Sequence, residues 1–207
     1  MKIVLIPCAP TEWRDEGRLL GRVELAPTPA GEQQAAAWSA ALAQVGAAVI
    51  HHSPDELATR TAKILSKAIG ARPRKDSSLA EVDLGLWSGL TDEELRKRFA
   101  SAHHELLEAP LNVNPPDGEG FSDASERVAG ELKKLIRRTG DKPLAVVLRP
   151  VALGLARRWL EGSDESTIWE AVTEINEPIV FDYSGNGKVT PATPPDEHDD
   201  TDRVKHG

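Results

Sequence analysis

The sequence predicts an α/β protein, a three-layer α/β/α sandwich with a mostly parallel central sheet. Three short aliphatic runs, at 3–6, 47–50 and 144–148, are typical of strands that are buried on both faces. The segments between them carry helix caps or apolar residues at helical spacing. Strands that alternate with helices form a parallel sheet with helices on both sides, and this gives the fold class.

Two helices are predicted in the first half of the chain. The segment 28–46 is rich in alanine and ends at a glycine, which favours a helix that stops there. The segment 53–70 opens with a serine, a proline and two acidic residues, a pattern typical of a helix start, and it also ends at a glycine. Together with the first two strands they give the order strand, helix, strand, helix.

Four further elements are predicted in the second half. A capping box opens a short charged helix at 91–99, and an apolar stripe at 124–136 predicts a helix that lies on the sheet. A helix over 151–160 follows the third strand. The segment 178–183, followed by Ser-Gly-Asn-Gly, is predicted to be one arm of a terminal hairpin.

The chain is predicted to form one domain with a short appendage. Its 207 residues are enough for one full-sized core, which we place at 1–190. Residues 191–207 are dominated by Pro, Asp, Thr and His and predict an acidic, disordered tail.

Composition excludes several classes of function. The formal net charge of −8 argues against nucleic acid as a partner. A single cysteine excludes an intramolecular disulfide and a thiolate zinc site, and no cofactor is predicted. The first apolar run is too short for a signal peptide and no stretch approaches a membrane span, so we expect a cytoplasmic protein with no membrane partner.

The carboxyl ends of the three predicted strands are expected to meet in one crevice, because ligands of such sheets bind there. Those ends carry Cys8, His52, Ser53 and Arg149. This crevice is therefore the predicted functional site.

Several segments, read in order, carry a known pattern. Residues 79–91 match Leu-x-Glu-x-x-x-Gly-x-Trp-x-Gly-x-Thr, residues 28–35 match Thr-x-x-Gly-x-x-Gln-Ala, and residues 116–120 resemble Pro-x-Gly-Glu-Ser. Residues 7–13, Pro-Cys-Ala-Pro-Thr-Glu-Trp, stand in the place of Arg-His-Gly-Glu-Thr-Glu-Trp. In their order and spacing these segments resemble the histidine phosphatase superfamily, also called phosphoglycerate mutase-like, over about residues 2 to 184.

The resemblance implies a phosphoglycerate mutase-like fold and a phosphoryl transfer reaction. The reaction of this family uses a histidine that becomes phosphorylated, a second histidine, two arginines on the phosphoryl group and a carboxylic acid that protonates the leaving oxygen. These residue types suit a transition state whose charge is spread over the phosphoryl oxygens.

This chain departs from that pattern at four positions. Cys8 stands at the place of the nucleophilic histidine and Pro7 at the place of the first arginine. Leu57 replaces the second arginine and Arg149 the second histidine. Because only the acid, Glu81, is retained, we expect a catalytically inactive member that binds a small anionic ligand or a protein partner at the altered crevice.

Two alternatives stay open at this point. In one, the chain is a phosphoric monoester hydrolase in which Cys8 is the nucleophile, Arg149 or Arg14 holds the anion and Glu81 is the acid; Cys8 and Arg14 have the Cys-x5-Arg spacing of cysteine-dependent phosphatases. In the other, it is a thiol-based redox or interaction protein. The residues predicted to bind a ligand are Arg14, Arg18, His52 and Ser53.

Simpler interpretations compete with these roles. Cys8 is also compatible with a small, buried packing residue at a strand end. Neither His51-His52 nor His103-His104 is a preformed metal chelate, because adjacent residues point to opposite sides of a strand or helix. The pair His103-His104 is predicted to lie on a solvated helix face.

Overall fold

The structure, a computed structural model, describes residues 1–165, 167–185 and 189–191. Its sheet has six strands in the order β3-β2-β4-β1-β5-β6, in which β1 to β4 are parallel and β5 and β6 are antiparallel. The strands are β1 Lys2–Pro7, β2 Val49–His52, β3 Arg72–Lys75, β4 Leu144–Leu148, β5 Ile179–Tyr183 and β6 Val189–Pro191. The predicted fold class, an α/β protein with a mostly parallel sheet, is confirmed.

The helices lie on both sides of this sheet. They are α1 Glu12–Asp15, α2 Pro29–Ala37, α3 Ser39–Val45, α4 Glu56–Ile69, α5 Asp92–Arg98, α6 Ala100–Glu108, α7 Phe121–Thr139, α8 Pro150–Glu161 and α9 Thr167–Glu174. Single 3-10 turns occur at Ser77–Leu79, Gly85–Trp87 and Pro110–Asn112. No helix of the described residues is both long and apolar enough to cross a membrane.

The alternation of side chains along β1 produces two cores. Ile3 and Leu5 pack with α7 and α8 on one face, and Val4 and Ile6 pack with α2, α3 and α4 on the other. All four side chains are fully buried. A continuous aliphatic run is therefore the correct signature of this central strand, because both of its faces need apolar side chains.

A third apolar cluster holds the segment that leads from the sheet to α7. Trp87 is its centre, with Phe99, Phe121 and Trp169 around it. Gly85 lies in the left-handed region at φ +48°, and a Cβ there would come within 2.0 Å of the Pro116 carbonyl oxygen, so only glycine fits. This packing fixes the chain on both sides of Glu81.

Some elements differ from the prediction. The helix predicted at 28–46 is two helices, α2 and α3, which meet at Trp38. The strand β3 and helices α1, α6 and α9 were not predicted. The predicted hairpin is present as the antiparallel pair β5 and β6, whereas its turn at 186–188 and the predicted tail after residue 191 lie outside the described residues.

The prediction of a solvated face for His103-His104 is wrong in part. His103 is buried, and its Nε2 lies 2.9 Å from Oδ1 of Asp92, the first residue of α5. His104, the next residue, is exposed. The carboxylate of Asp92 supplies a partner that makes burial of the imidazole tolerable.

Candidate active site

The ends of β1 and β4 and the start of α4 meet at the carboxyl edge of the sheet. The Cys8 N–H donates to the Leu148 carbonyl oxygen at 3.1 Å, and the Ser53 N–H donates to the Val147 carbonyl oxygen at 3.3 Å. Cys8, Leu57 and Pro150 line one small cavity of about 10 Å³, here called the thiol cavity. This volume leaves no room for a phosphate group.

The Cys8 side chain is buried in this cavity. It is 7% exposed, and burial raises the pKa of the thiol well above its ordinary value. The negative charges of Asp55 and Glu81 raise this pKa further, while the positive charge of Arg149 lowers it. Because the thiolate is the reactive form, these surroundings are typical of a packing residue.

Glu81 lies at the N-terminus of α8. Its Oε2 accepts a hydrogen bond from the Val151 N–H at 3.0 Å, and its Oε1 accepts from the Ala152 N–H at 2.8 Å and from the Val82 N–H at 2.8 Å. Pro150, the first residue of the helix, has no N–H to offer. The carboxylate of Glu81 therefore occupies the position at which a helix N-terminus receives an anion.

The protonation of Glu81 depends on opposing influences. The side chain is 2% exposed, and burial raises the pKa of its carboxyl group above the usual value. The Arg149 charge and the three backbone N–H groups act in the opposite direction. With two donors on Oε1 and one on Oε2, one lone-pair direction of Oε2 is left for a proton.

Arg149 is a buried cation with unused donors. Its side chain is fully buried, Nη1 donates to the Val23 carbonyl oxygen at 3.0 Å, and the same Nη1 lies 3.6 Å from Oδ1 of Asp55. Nε and Nη2 are buried without a hydrogen-bond partner among the described residues. Buried donors that lack a partner are costly, so this guanidinium is suited to an external anion.

Two cavities meet at Glu81. The first, here called the Arg149 cavity, has a volume of about 230 Å³ and is lined by Arg22, Glu24, Pro54, Asp55, Ala80, Glu81 and Arg149. The second, here called the outer cleft, has about 630 Å³ and includes Glu81, Leu20, Trp169 and Asn176 in its lining. A molecule in the outer cleft can thus reach the same carboxyl group that faces the Arg149 cavity.

Arg14 and Arg18 line the outer cleft, but their donors are used inside the protein. Arg14 donates to the carbonyl oxygens of Val172 and Ile175 at 3.4 and 2.7 Å, and to the Asn176 side chain. Arg18 Nε binds Glu16 at 2.6 Å, and its Nη1 donates to the Gly89 carbonyl oxygen at 2.8 Å. Arg14 thus joins α1 to the end of α9 and does not form a phosphate loop with Cys8.

His52 and Ser53 lie near the site without lining either cavity. His52 Nδ1 is 2.8 Å from the Ser53 carbonyl oxygen, and burial lowers the pKa of this imidazole. The Ser53 hydroxyl donates to Oδ2 of Asp55. Both residues support the turn that presents Asp55, which caps α4 through a bond from the Ala58 N–H at 2.9 Å.

Several residues that support Glu81 and Arg149 were not predicted from the sequence. Asp55, noted only as an acidic residue at a helix start, is also the charge partner of Arg149. Arg127 binds both carboxylate oxygens of Glu119, at 2.9 and 2.7 Å, and donates to the Ala80 carbonyl oxygen at 2.8 Å. Glu119 lies in the motif at 116–120, which was the one available signal. These bonds hold the backbone before Glu81.

No metal centre accompanies this arrangement in the described part of the chain. Within 1–165, 167–185 and 189–191, no three His, Cys, Asp or Glu side chains are grouped so that they could hold a metal ion. The site brings together the buried carboxyl group of Glu81 and the guanidinium of Arg149, which line the same cavity.

The family of the chain follows from its sequence as a whole. A sequence model of the histidine phosphatase superfamily (branch 1) matches residues 3–190. The chain belongs to this superfamily. Within it, this member has Cys8 and Arg149 at the positions that the family's pattern gives to two histidines.

Several similar proteins are named as phosphatases or mutases. Phosphoserine phosphatase 1 of Hydrogenobacter thermophilus is 27% identical over 169 residues, 82% of this chain and 80% of that protein. A probable phosphoglycerate mutase, GpmB, of Salmonella arizonae is 29% identical over 155 residues, 74% of this chain and 72% of that protein. A mutant phosphoserine phosphatase from Entamoeba histolytica, solved in complex with phosphoserine, superposes with a TM-score of 0.78 at 21% identity, covering 93% and 95% of the two chains.

These relatives contradict the expectation of an inactive, ligand-binding protein. They carry the names of phosphatases and of a mutase, and they point to phosphatase activity. The comparisons thus support a phosphoric monoester hydrolase, the activity that was the first alternative in the sequence. The four departures from the family's pattern, at Pro7, Cys8, Leu57 and Arg149, were given too much weight. Glu81 and the Arg149 guanidinium still line one cavity.

Proposed function

We propose that this superfamily member hydrolyses phosphoric monoesters of small molecules, with the phosphoryl group bound at Arg149 and Glu81. One observation carries the proposal: the buried Nε and Nη2 of Arg149 have no hydrogen-bond partner among the described residues, and Arg149 lines a cavity that Glu81 also lines. Phosphoryl oxygens are strong acceptors that match the forked geometry of a guanidinium. A bound phosphoryl group would satisfy both donors.

Glu81 is the proposed proton donor to the leaving oxygen. Burial raises the pKa of its carboxyl group, so the protonated form persists to higher pH than for an exposed glutamate. The free direction on Oε2 is the position of the transferable proton, because Oε1 already accepts two backbone hydrogen bonds. A general acid of this kind commonly contributes about 10²–10⁴-fold to the rate.

Water is the proposed nucleophile. Its oxygen forms a bond to phosphorus while the ester P–O bond breaks, and the electron pair of that bond goes to the leaving oxygen. The leaving oxygen takes the proton from Oε2 of Glu81, and a proton released from the attacking water restores the acid. The Arg149 guanidinium stays charged throughout and stabilises the charge on the phosphoryl oxygens.

In a second candidate mechanism, Cys8 is the nucleophile, and this mechanism requires a thiolate. The thiol would have to lose its proton to solvent and form an S–P bond while the ester P–O bond breaks and Glu81 protonates the leaving oxygen. Water would then attack phosphorus and break the S–P bond, which releases phosphate and the thiolate. Burial raises the pKa of this thiol, and the thiol cavity of about 10 Å³ admits no phosphoryl group. Direct attack by water needs neither a thiolate nor an opening of the core.

The charges of the Arg149 cavity favour binding of a phosphoryl group at acidic pH. Two arginines, Arg22 and Arg149, face three carboxylates, Glu24, Asp55 and Glu81. Protonation of Glu81 removes one negative charge, so the phosphoryl group enters a cavity of balanced charge. Glu24 and Asp55 are themselves held by backbone N–H groups at the start of α4.

The outer cleft indicates the kind of leaving group. Its apolar walls include Leu20 and Trp169, while Asp15 and Asp92 add negative charge. The two cations of this cleft are already engaged, Arg14 with carbonyl oxygens and Asn176 and Arg18 with Glu16, so a substrate carboxylate would compete with these partners. We therefore propose a small alcohol that is uncharged or carries an amine.

The experiment is a phosphate-release assay with four substrates: p-nitrophenyl phosphate, phosphoethanolamine, phosphoserine and 3-phosphoglycerate. The expected order of kcat/KM places phosphoethanolamine above phosphoserine and phosphoserine above 3-phosphoglycerate. A reversed order would contradict the proposed leaving group while preserving the hydrolase. Absence of release from all four would contradict the hydrolase itself. The cytoplasmic location and the absence of nucleic-acid and membrane partners stay predictions from the sequence.

A further inference from the structure

A separate cavity of about 720 Å³ lies at the opposite edge of the sheet. It is bordered by Met1 at the start of β1, by the last turns of α7 and α8, and by Tyr183 at the end of β5. The six residues of β1 separate it from the active site, which at about 3.3 Å per residue is roughly 20 Å. We call it the basal cavity. None of the residues proposed for phosphate hydrolysis lines it.

One wall of the basal cavity is aromatic and apolar. Trp159 and Tyr183 are half-buried there, and Ile136 and Leu160 belong to the buried core beneath them. Half-buried aromatic rings at a concave surface offer flat area for a ring-shaped ligand. The volume falls within the range of small-molecule sites.

Two cations also line the basal cavity. Lys133 and Arg137 lie four residues apart on α7 and therefore share one helix face. The Lys133 ammonium lies 5.6 Å from the centre of the Trp159 ring. Neither cation makes an ion pair with a carboxylate in the part of the chain that the structure describes. Among the described residues that line the cavity, Asp141 is the one acidic side chain.

This local charge differs from the rest of the molecule. The chain as a whole has a formal net charge of −8, whereas the described side chains that line the basal cavity carry two cations against one carboxylate. A cluster of cations beside aromatic rings is suited to a ligand that combines negative charge with a flat apolar body.

We propose that the basal cavity is a second ligand site, which takes a small molecule with an aromatic or heterocyclic ring and one phosphate, sulfonate or carboxylate group. The ring lies against Trp159 and Tyr183, and the anionic group lies between Lys133 and Arg137. The site is independent of the proposed hydrolysis, because it shares no residue with the Glu81 region.

The test uses two fluorescent probes that differ mainly in charge. 8-Anilinonaphthalene-1-sulfonate carries the sulfonate, and N-phenyl-1-naphthylamine has the same ring system without it. Titration of the folded, full-length protein is expected to show saturable binding of the sulfonate at one site, about tenfold tighter than that of the neutral probe. Equal affinities for both probes, or no saturable binding of the sulfonate, would overturn the proposal.

A pair of double variants locates the binding. K133A/R137A removes the two cations of the basal cavity and is expected to weaken sulfonate binding by about tenfold or more. R138A/K142A removes two nearby exposed cations that do not line it, and its affinity is expected to stay close to that of the unmodified protein. Equal losses in both double variants would overturn the site, as would loss of binding in R149M with none in K133A/R137A. Thermal unfolding of each variant confirms that it is folded.

Discussion

The carboxylate of Glu81 accepts a hydrogen bond from the backbone N–H of Ala152 at 2.8 Å, across 71 residues of sequence. This bond places the carboxyl group of Glu81 on the first turn of α8, immediately after Arg149. A phosphoryl group that enters the Arg149 cavity therefore meets an acid and a cation that are already held in place. The predictions below depend on this arrangement.

Glu81→Gln is expected to lower kcat by about 10²-fold or more, because the amide cannot donate the proton that the acid supplies. The same change turns an NH2 group toward a backbone N–H of α8. We expect a loss of about 1–3 kcal/mol in the free energy of unfolding, since one buried N–H loses its acceptor. Phosphate release and urea unfolding measure the two effects. Full activity in a folded Glu81→Gln variant would contradict the assigned role.

The pH dependence of both stability and kcat/KM is expected to follow the titration of Glu81. Burial raises the pKa of this carboxyl group above 4.5, so its stabilising contribution is complete below the pKa of the unfolded chain and is lost as pH rises through the folded value. The acid is lost over the same range, and kcat/KM is expected to fall as pH rises through it. A pH profile of phosphate release tests this, with Glu81→Gln as the control that lacks the fall. A rate that increases steadily toward alkaline pH would instead indicate a thiolate.

Arg149→Met is expected to lower kcat/KM by about 10²–10³-fold, because it removes the cation that stabilises the phosphoryl oxygens. It also leaves Asp55 without its charge partner, and removal of one member of a buried pair costs about 3–5 kcal/mol. Arg149→Lys keeps the positive charge but lacks the forked donor geometry of the guanidinium, so it is expected to retain part of the activity. Arg60→Met is the matched control, because its guanidinium pairs with Glu32 and Arg60 lines none of the cavities described. Equal losses for Arg60→Met and Arg149→Met would contradict a specific role for Arg149.

Cys8 should react slowly with iodoacetamide at neutral pH. Burial raises the pKa of its thiol above the ordinary 9.0, and the surrounding cavity is closed. For the same reasons Cys8→Ala is expected to keep activity within a few-fold of the unmodified protein. Mass spectrometry after timed alkylation and the phosphate assay measure these outcomes. Rapid alkylation at pH 7 together with loss of activity in Cys8→Ser would replace water by Cys8 as the nucleophile.

Features that depend on local patterns could be predicted from the sequence. The aliphatic runs at 3–6 and 144–148 indicated buried strands because both faces of β1 and β4 contact helices. Parallel strands end at one edge, so the neighbourhood of Cys8 and Arg149 was also predictable. Glu81 was recognised through the resemblance of 79–91 to a known motif.

Features that depend on long-range pairing could not be predicted. The strand β3 consists of exposed residues, Arg-Pro-Arg-Lys, and only its register with β2 makes it a strand. His103 is buried because Asp92 faces it from another helix. The unused donors of Arg149 are likewise visible only in three dimensions, and they changed the interpretation of the replaced histidine.

The central claim is tested most directly by phosphate release from phosphoethanolamine, measured in parallel for the unmodified protein and for Arg149→Met at equal concentrations of folded protein. The account predicts multiple turnovers by the unmodified protein and a loss of about 10²-fold or more in the variant. No turnover by the folded, unmodified protein, or equal rates for the two proteins, would contradict it.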